Sequence, residues 1–240
     1  MQIKRVLIIV LILLSVVFIG LQFTQHEAQA DGVEALLFVF LTSLYCYKVK
    51  QRQVFFFLFL LFFTLAQVLN FASYYINYKF DAEGFYSYYL INSVYILAYL
   101  FLIIRILSNM NLKEVIMKFP FHIVVLLILD VFCVIIITGT TENLLTKSEY
   151  SMEYVYNTII MILLTVALMN YISKDDKKSM NLLLGSIFIV FSEIIQLAYF
   201  YISDINSLNV LCSLFLIIAF VFFYLQSRIP FDNKKELITT

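Results

Sequence analysis

The sequence predicts an all-α, polytopic transmembrane helical bundle of about eight spans, and three observations predict it. Of 240 residues, 63% are hydrophobic and only 13% charged, against about 45–50% apolar and about 25% charged in soluble domains. The apolar residues gather into eight separate runs. The basic residues fall at alternate ends of those runs.

The runs are Val6–Phe23, Val33–Tyr47, Val54–Tyr75, Tyr88–Leu107, Phe121–Thr138, Val155–Tyr171, Asn181–Tyr201 and Asn206–Gln226. A bilayer core asks for roughly 20 apolar residues per helix, with a range of about 17–25; the second run is short and begins in the loop before it. Lipid accepts spanning backbone only as helices or closed barrels. These runs are too continuously apolar for the alternation of a barrel strand, so they read as helices.

Of the sixteen basic residues, all but Lys79 and Lys147 lie at one set of ends. That set holds Lys4 and Arg5, the group Lys48 to Arg52, then Arg105, Lys113 and Lys118, the Lys174–Lys178 group, and the tail from Arg228. Cytoplasmic loops carry the Lys/Arg excess. Both termini are therefore expected in the cytoplasm, with the chain in the cell membrane. One missing or added span would scramble the alternation. Lys4-Arg5, an apolar stretch and Ala28-Gln29-Ala30 also resemble a cleavable signal peptide. The stretch Leu21–Ala30 is long for a cleavage region, which favours an uncleaved first helix. Residues 1–240 read as a single membrane domain without linker or repeat.

Several function classes fall away. Net charge is zero, so nothing draws the chain to nucleic acid; membrane lipids are the expected partners. Cys46, Cys133 and Cys212 are far apart and inside apolar runs, which excludes a local disulfide or CxxC framework. His26 and His122 have no metal-ligand spacing, so no metal and no cofactor is expected. No Lys lies within a run, which excludes a retinal Schiff base. No nucleophile elbow, HExxH or phosphate loop occurs. Neither proline lies inside a run, which counts against the broken helices of transporters.

Function must then come from polar groups at depth, where an Asp costs about 2.5–3.5 kcal/mol to insert. Asp130 and Glu193 are the two carboxylates read as mid-span, and no Lys or Arg is comparably deep. Burial without a cationic partner favours the neutral acid, a form able to donate a proton. The bland reading is a carboxyl hydrogen-bonded between helices. Thr64, Gln67, Asn70, Tyr74 and Asn77 recur at three- and four-residue steps and share one helical face. Tyr88, Asn92, Tyr95 and Tyr99 form a second stripe, and Ser186, Glu193, Gln196 and Ser203 a third. His122 with Asp130, and Asn157, Thr158 and Thr165, add polar groups on the fifth and sixth runs. Interhelical hydrogen bonds alone, worth about 0.6 kcal/mol each, explain single Asn or Thr residues. Three stripes together point to a shared cavity.

Gly185-Ser186-Ile187-Phe188-Ile189-Val190-Phe191-Ser192-Glu193 resembles the YhhN family of membrane proteins, the lysoplasmalogenases. That family has eight spans, and its penultimate helix carries Ser-Asp where this chain has Ser192-Glu193. Tyr224 and Gln226 lie near the family's Tyr/Gln-containing end, at a different spacing. Where the family has Gly-Asp in helix 3, this chain has Ala66-Gln67; where it has a His in helix 4, this chain has Ala98-Tyr99. The resemblance implies hydrolysis of the vinyl-ether bond of lysoplasmalogens, a lysolipid substrate class, by general acid catalysis. It implies Glu193 as the acid, Asp130 in partial replacement of the missing helix 3 acid, and Gln67 positioning water. Ser192, Asn70, Tyr99, Asn92 and Gln196 are the expected substrate-binding residues. A non-catalytic lipid-binding or accessory protein on the same scaffold, and a small proton-coupled carrier or sensor, remain alternatives.

Overall fold

The computed structural model describes residues 2–49, 53–75 and 85–229. Among them the chain is helical, in nine elements: α1 (Gln2–Phe23), α2 (Glu27–Lys48), α3 (Val54–Ser73), α4 (Phe85–Leu107), α5 (Leu112–Lys118), α6 (Pro120–Gly139), α7 (Lys147–Lys174), α8 (Lys177–Tyr201) and α9 (Asn206–Arg228). All but α5 are long and apolar enough to cross a membrane, which marks a membrane protein.

Local chemistry sets the boundaries. At the start of α7, the Glu149 amide donates to Thr146 Oγ1, and Glu149 Oε2 accepts from the Thr146 amide at 2.8 Å. This reciprocal capping box satisfies backbone donors that a helix start leaves open. Asp176 and Ser179 repeat the device at α8, where the Ser179 amide donates to Asp176 Oδ1 at 2.6 Å. Asp175, in left-handed conformation (φ 47°), makes the two-residue turn between α7 and α8. Pro120 opens α6, a position where its missing N–H costs nothing.

The helices pack as α1 on α2 and α9, α3 on α2 and α4, α7 on α4, α6 and α8, and α8 most extensively on α9. Gly185 permits that last contact: a Cβ there would meet the Phe223 ring at 2.6 Å. An aromatic cluster fills the inner half between α2, α3 and α9. Phe220 touches Phe38 and Phe63 at ring-centroid distances of 4.5 and 4.7 Å and stacks on Phe59 at 5.7 Å. Phe59 and Phe223 are fully buried. At the end of the bundle where α1 begins, the buried Arg105 donates from Nε to Gln53 Oε1 at 2.8 Å and from Nη2 to Gln226 Oε1 at 2.9 Å. It thereby ties α4 to the start of α3 and the end of α9. On the outside, α6 exposes Val124, Leu127, Ile128, Val131, Phe132 and Ile135. Such a surface suits hydrocarbon, not water.

Several helices extend beyond the apolar runs, and one helix is added. Helix α2 begins at Glu27, not Val33, because Glu27, Asp31 and Glu34 find partners within the fold and so do not break it. Helix α7 begins at Lys147, eight residues before Val155, because the Thr146 cap starts it there. The short α5, bearing Lys113 and Lys118, was not expected at all. Ser203 lies past the end of α8, and Asn77 falls outside the described residues.

Candidate functional site

The α3 stripe faces α2 and is met there by a stripe of acids. Glu27, Asp31 and Glu34 are spaced by four and three residues, so they share a helix face. Gln67 Nε2 donates to Glu34 Oε1 at 2.6 Å, with both side chains buried. Asn70 Nδ2 and the Tyr74 hydroxyl both donate to Asp31 Oδ2, at 2.8 and 3.1 Å. Deeper in the bundle, the Thr42 and Thr64 hydroxyls meet at 2.8 Å. The α2–α3 seam is thus a ladder of polar rungs that leads inward.

The α4 stripe faces α7 and α8. The Tyr99 hydroxyl, fully buried, donates to Glu193 Oε1, and the Tyr156 hydroxyl donates to Glu193 Oε2 at 2.9 Å. Both oxygens of Glu193 are therefore held, by hydroxyls from two different helices. Nearer the end of the bundle, the Tyr88 hydroxyl donates to Glu153 Oε1 at 2.9 Å.

Glu193 stands at the junction of two cavities. The smaller, about 150 Å3, lies between α1, α2, α3, α8 and α9 and is lined by Glu27, Asp31, Glu34, Gln67 and Glu193 among others. The larger, about 520 Å3, lies between α3, α4, α7 and α8 and includes Ser73, Ser87, Tyr88, Glu153 and Tyr201. Asn70, Tyr95, Tyr156, Glu193, Gln196 and Phe200 belong to both. Together they reach the bundle end opposite Arg105. No Lys or Arg lines either cavity among the described residues.

The structure brings most of the expected site residues together. Gln67, Asn70, Ser192, Glu193 and Gln196 line the smaller cavity, Asn92 the larger, and Tyr99 holds Glu193 from behind. Ser192 donates its hydroxyl to the Cys212 carbonyl at 2.9 Å, which directs it toward α9. Asp130 is the exception. It lines neither cavity and accepts from Thr165 Oγ1 at 2.7 Å in the α6–α7 seam. The reason is topological: α6 sits at the edge of the bundle and packs on α7, so its buried face never reaches the centre. The expected convergence of Gln67, Asp130 and Glu193 on one cavity thus fails at Asp130. Nor does His122 reach the site; it is exposed in the first turn of α6, edge-on to Phe119 and Phe121.

Comparison with protein-family models, with curated proteins and with solved structures finds no match. The family resemblance rests on its residues alone.

Asp31 and Glu34 were missed by the sequence reading. A signal existed in the four- and three-residue spacing from Glu27, which matches the pattern used to find the other stripes. Glu27 and Asp31 lie before the apolar run that starts at Val33, and Glu34 stands only one residue inside it, so none of the three reads as a mid-span carboxylate. Glu153 was missed for the same reason, lying in the extra turns of α7. Among the described residues, no group of three or more His, Cys, Asp or Glu side chains is placed to hold a metal ion.

Proposed function

We propose that this protein is a hydrolase embedded in the cell membrane, acting on the vinyl-ether bond of lysoplasmalogen-type lipids by carboxyl chemistry. Its termini are on the cytoplasmic side and its cavities open on the other. One observation carries the reading: Glu193, gripped by Tyr99 and Tyr156, looks into a cavity that it shares with the Glu34–Gln67 pair.

The chemistry asks for a proton donor and a second group. Protonation of the β-carbon of the alkene consumes the double bond and leaves an oxocarbenium ion. Water adds to the neighbouring carbon, the one bonded to the ether oxygen, and loses a proton to the carboxylate that began the step. The resulting hemiacetal collapses to a fatty aldehyde and the free glycerol hydroxyl. General acid catalysis of this kind contributes about 10²–10⁴-fold, and a second carboxyl steadies the cation, as in glycoside hydrolysis. Glu193 is the acid. Glu34 takes the part expected of Asp130, because it faces the same cavity, and the Gln67 amide orients it. The aromatic cluster that closes the inner end of the smaller cavity weighs against a carrier, for which a polar route must continue.

The departures at Gln67 and Tyr99 favour one other reading, a lipid-binding protein without catalysis. Detergent-purified protein given a vinyl-ether lysolipid separates the two. Release of fatty aldehyde, abolished in Glu193→Gln, reduced at least tenfold in Glu34→Gln and retained in Asp130→Asn, is the expected result. Aldehyde release that survives Glu193→Gln, or no release from the parent protein, defeats the proposal.

A further inference from the structure

Helices α1, α2 and α9 each carry a stripe that changes character halfway along the bundle. On α2, Asp31 and Glu34 line the smaller polar cavity, and Leu37, Leu41 and Leu44 line a separate cleft. All five fall on one helix face. On α9, Asn209 and Ser213 line the cavity, and Ile217 and Val221 the cleft. On α1, Gln22 lines the cavity, and Ile8, Ile12 and Ile19 the cleft. The two spaces share no lining residue, but Phe18 and Leu216 of the cavity are chain neighbours of Ile19 and Ile217 of the cleft. Phe18, almost wholly buried, stands at the border.

The cleft is mainly aliphatic, with Phe220 and Tyr224 as its aromatic members. Of its polar members, Ser15 returns its hydroxyl to the Leu11 carbonyl at 2.8 Å, and Tyr224 has no partner for its buried hydroxyl. The cleft encloses about 360 Å3. From Ile8 to Ile19 it follows α1 for roughly 16 Å, at 1.5 Å per residue. An apolar slot of this length beside a polar cavity suits the hydrocarbon chain of an amphiphile.

We infer that the cavity and cleft together form one binding site for a single-chain amphiphile, its polar end beside Asp31, Glu34 and Glu193 and its hydrocarbon chain between α1, α2 and α9. A polar half closed by an aromatic cluster, continued by an apolar half on the same three helices, is complementary to such a molecule end for end. The inference extends the hydrolase reading to the hydrocarbon part of the substrate, which it adopts as the occupant; binding itself needs no catalysis.

The test uses the full chain in detergent and a saturated ether lysolipid, which has no vinyl bond to cleave, with a diazirine at the far end of its chain. Photolysis is expected to label α1 and α2 around Ile8, Ile12 and Leu44. Ser15→Trp and, independently, Ile217→Phe fill the cleft and are expected to lower labelling at least fivefold, while Val131→Trp on the outer face of α6 leaves it unchanged. Labelling spread evenly over the outer faces of α4 and α6, or labelling unaffected by both cleft-filling variants, overturns the inference. The two proposals fail separately. Cleft labelling without aldehyde release from the vinyl-ether lipid removes only the hydrolase. Aldehyde release that is indifferent to Ser15→Trp and Ile217→Phe removes only the cleft.

Discussion

Glu193 is fixed by two hydroxyls from different helices, one on each oxygen, and their removal should not be equivalent. Tyr156 borders both cavities, whereas Tyr99 is fully buried behind the carboxyl. A hydrogen bond to a charged group is worth about 1.5–3 kcal/mol, which is about a ten- to hundredfold change in rate. Tyr156→Phe is expected to cut kcat for aldehyde release by that factor and to shift the pH profile, with the thermal midpoint nearly unchanged. Tyr99→Phe is expected to do the same and also to lower the midpoint, since Tyr99 is fully buried away from both cavities and its loss leaves a Glu193 oxygen without a donor. The double variant should lose less than the product of the two, because both bonds end on one carboxyl. A full multiplicative loss would show that the tyrosines act separately and not through Glu193. Asp130 offers the contrast: its bond to Thr165 is an ordinary interhelical contact, worth about 0.6 kcal/mol.

At the scale of elements, the turn between α7 and α8 sets the register of the helix that carries Glu193. Asp176 caps α8 from outside the spans. Burial by itself raises its carboxyl, but the Ser179 amide and hydroxyl and the Lys174 charge outweigh burial and hold it below the ordinary carboxylate value of 3.8. A group depressed in the folded state stabilises above its unfolded pKa, and that stabilisation is lost as pH falls through the folded value. Asp176→Ala should therefore cost about 1 kcal/mol at neutral pH. The gap between parent and Asp176→Ala in thermal midpoint should narrow below about pH 4. A gap that persists unchanged to low pH would mean the ionised cap contributes nothing. The same scale shows what the sequence made legible. Apolar runs located all eight long helices, since lipid admits little else, and the stripes on α3, α4 and α8 emerged because polar residues stand out against that background. The acid face of α2 did not. A rule that looks for apolar windows discards Glu27–Gly32, and only the facing Gln67, Asn70 and Tyr74 make those acids tolerable in a helix. Asp130 failed for the converse reason: depth along a helix is legible, but whether a helix sits at the centre or the edge of the bundle is not.

For the whole molecule, the distribution of charge sets which leaflet would supply the substrate of the proposed hydrolase. Lys48, Arg105, Lys174, Lys177, Lys178 and Arg228 lie at the end where α1 begins, while Lys147 is at the end where the cavities open. On the proposed orientation, with the Lys/Arg-rich end in the cytoplasm, a lipid substrate would enter from the outer leaflet, polar end leading into the acidic mouth. With the three native cysteines replaced by Ser, a single Cys can report this. Glu142→Cys, in the exposed turn before α7, is expected to react with a membrane-impermeant maleimide in intact cells. Ser108→Cys, exposed just past α4, is expected to react only after permeabilisation. The reverse pattern would turn the cavity mouth to the cytoplasm, and the substrate would have to come from the inner leaflet. Because no basic side chain lines the described walls, the orientation also bears on the headgroup. An outward mouth rich in carboxyls repels anionic lipids at about 10 Å range in 0.1 M salt, so amine-bearing lysolipids should be processed ahead of anionic ones, and added salt should narrow the difference. A preference for anionic headgroups would mean that the polar end does not enter by the route of Glu27 and Asp31.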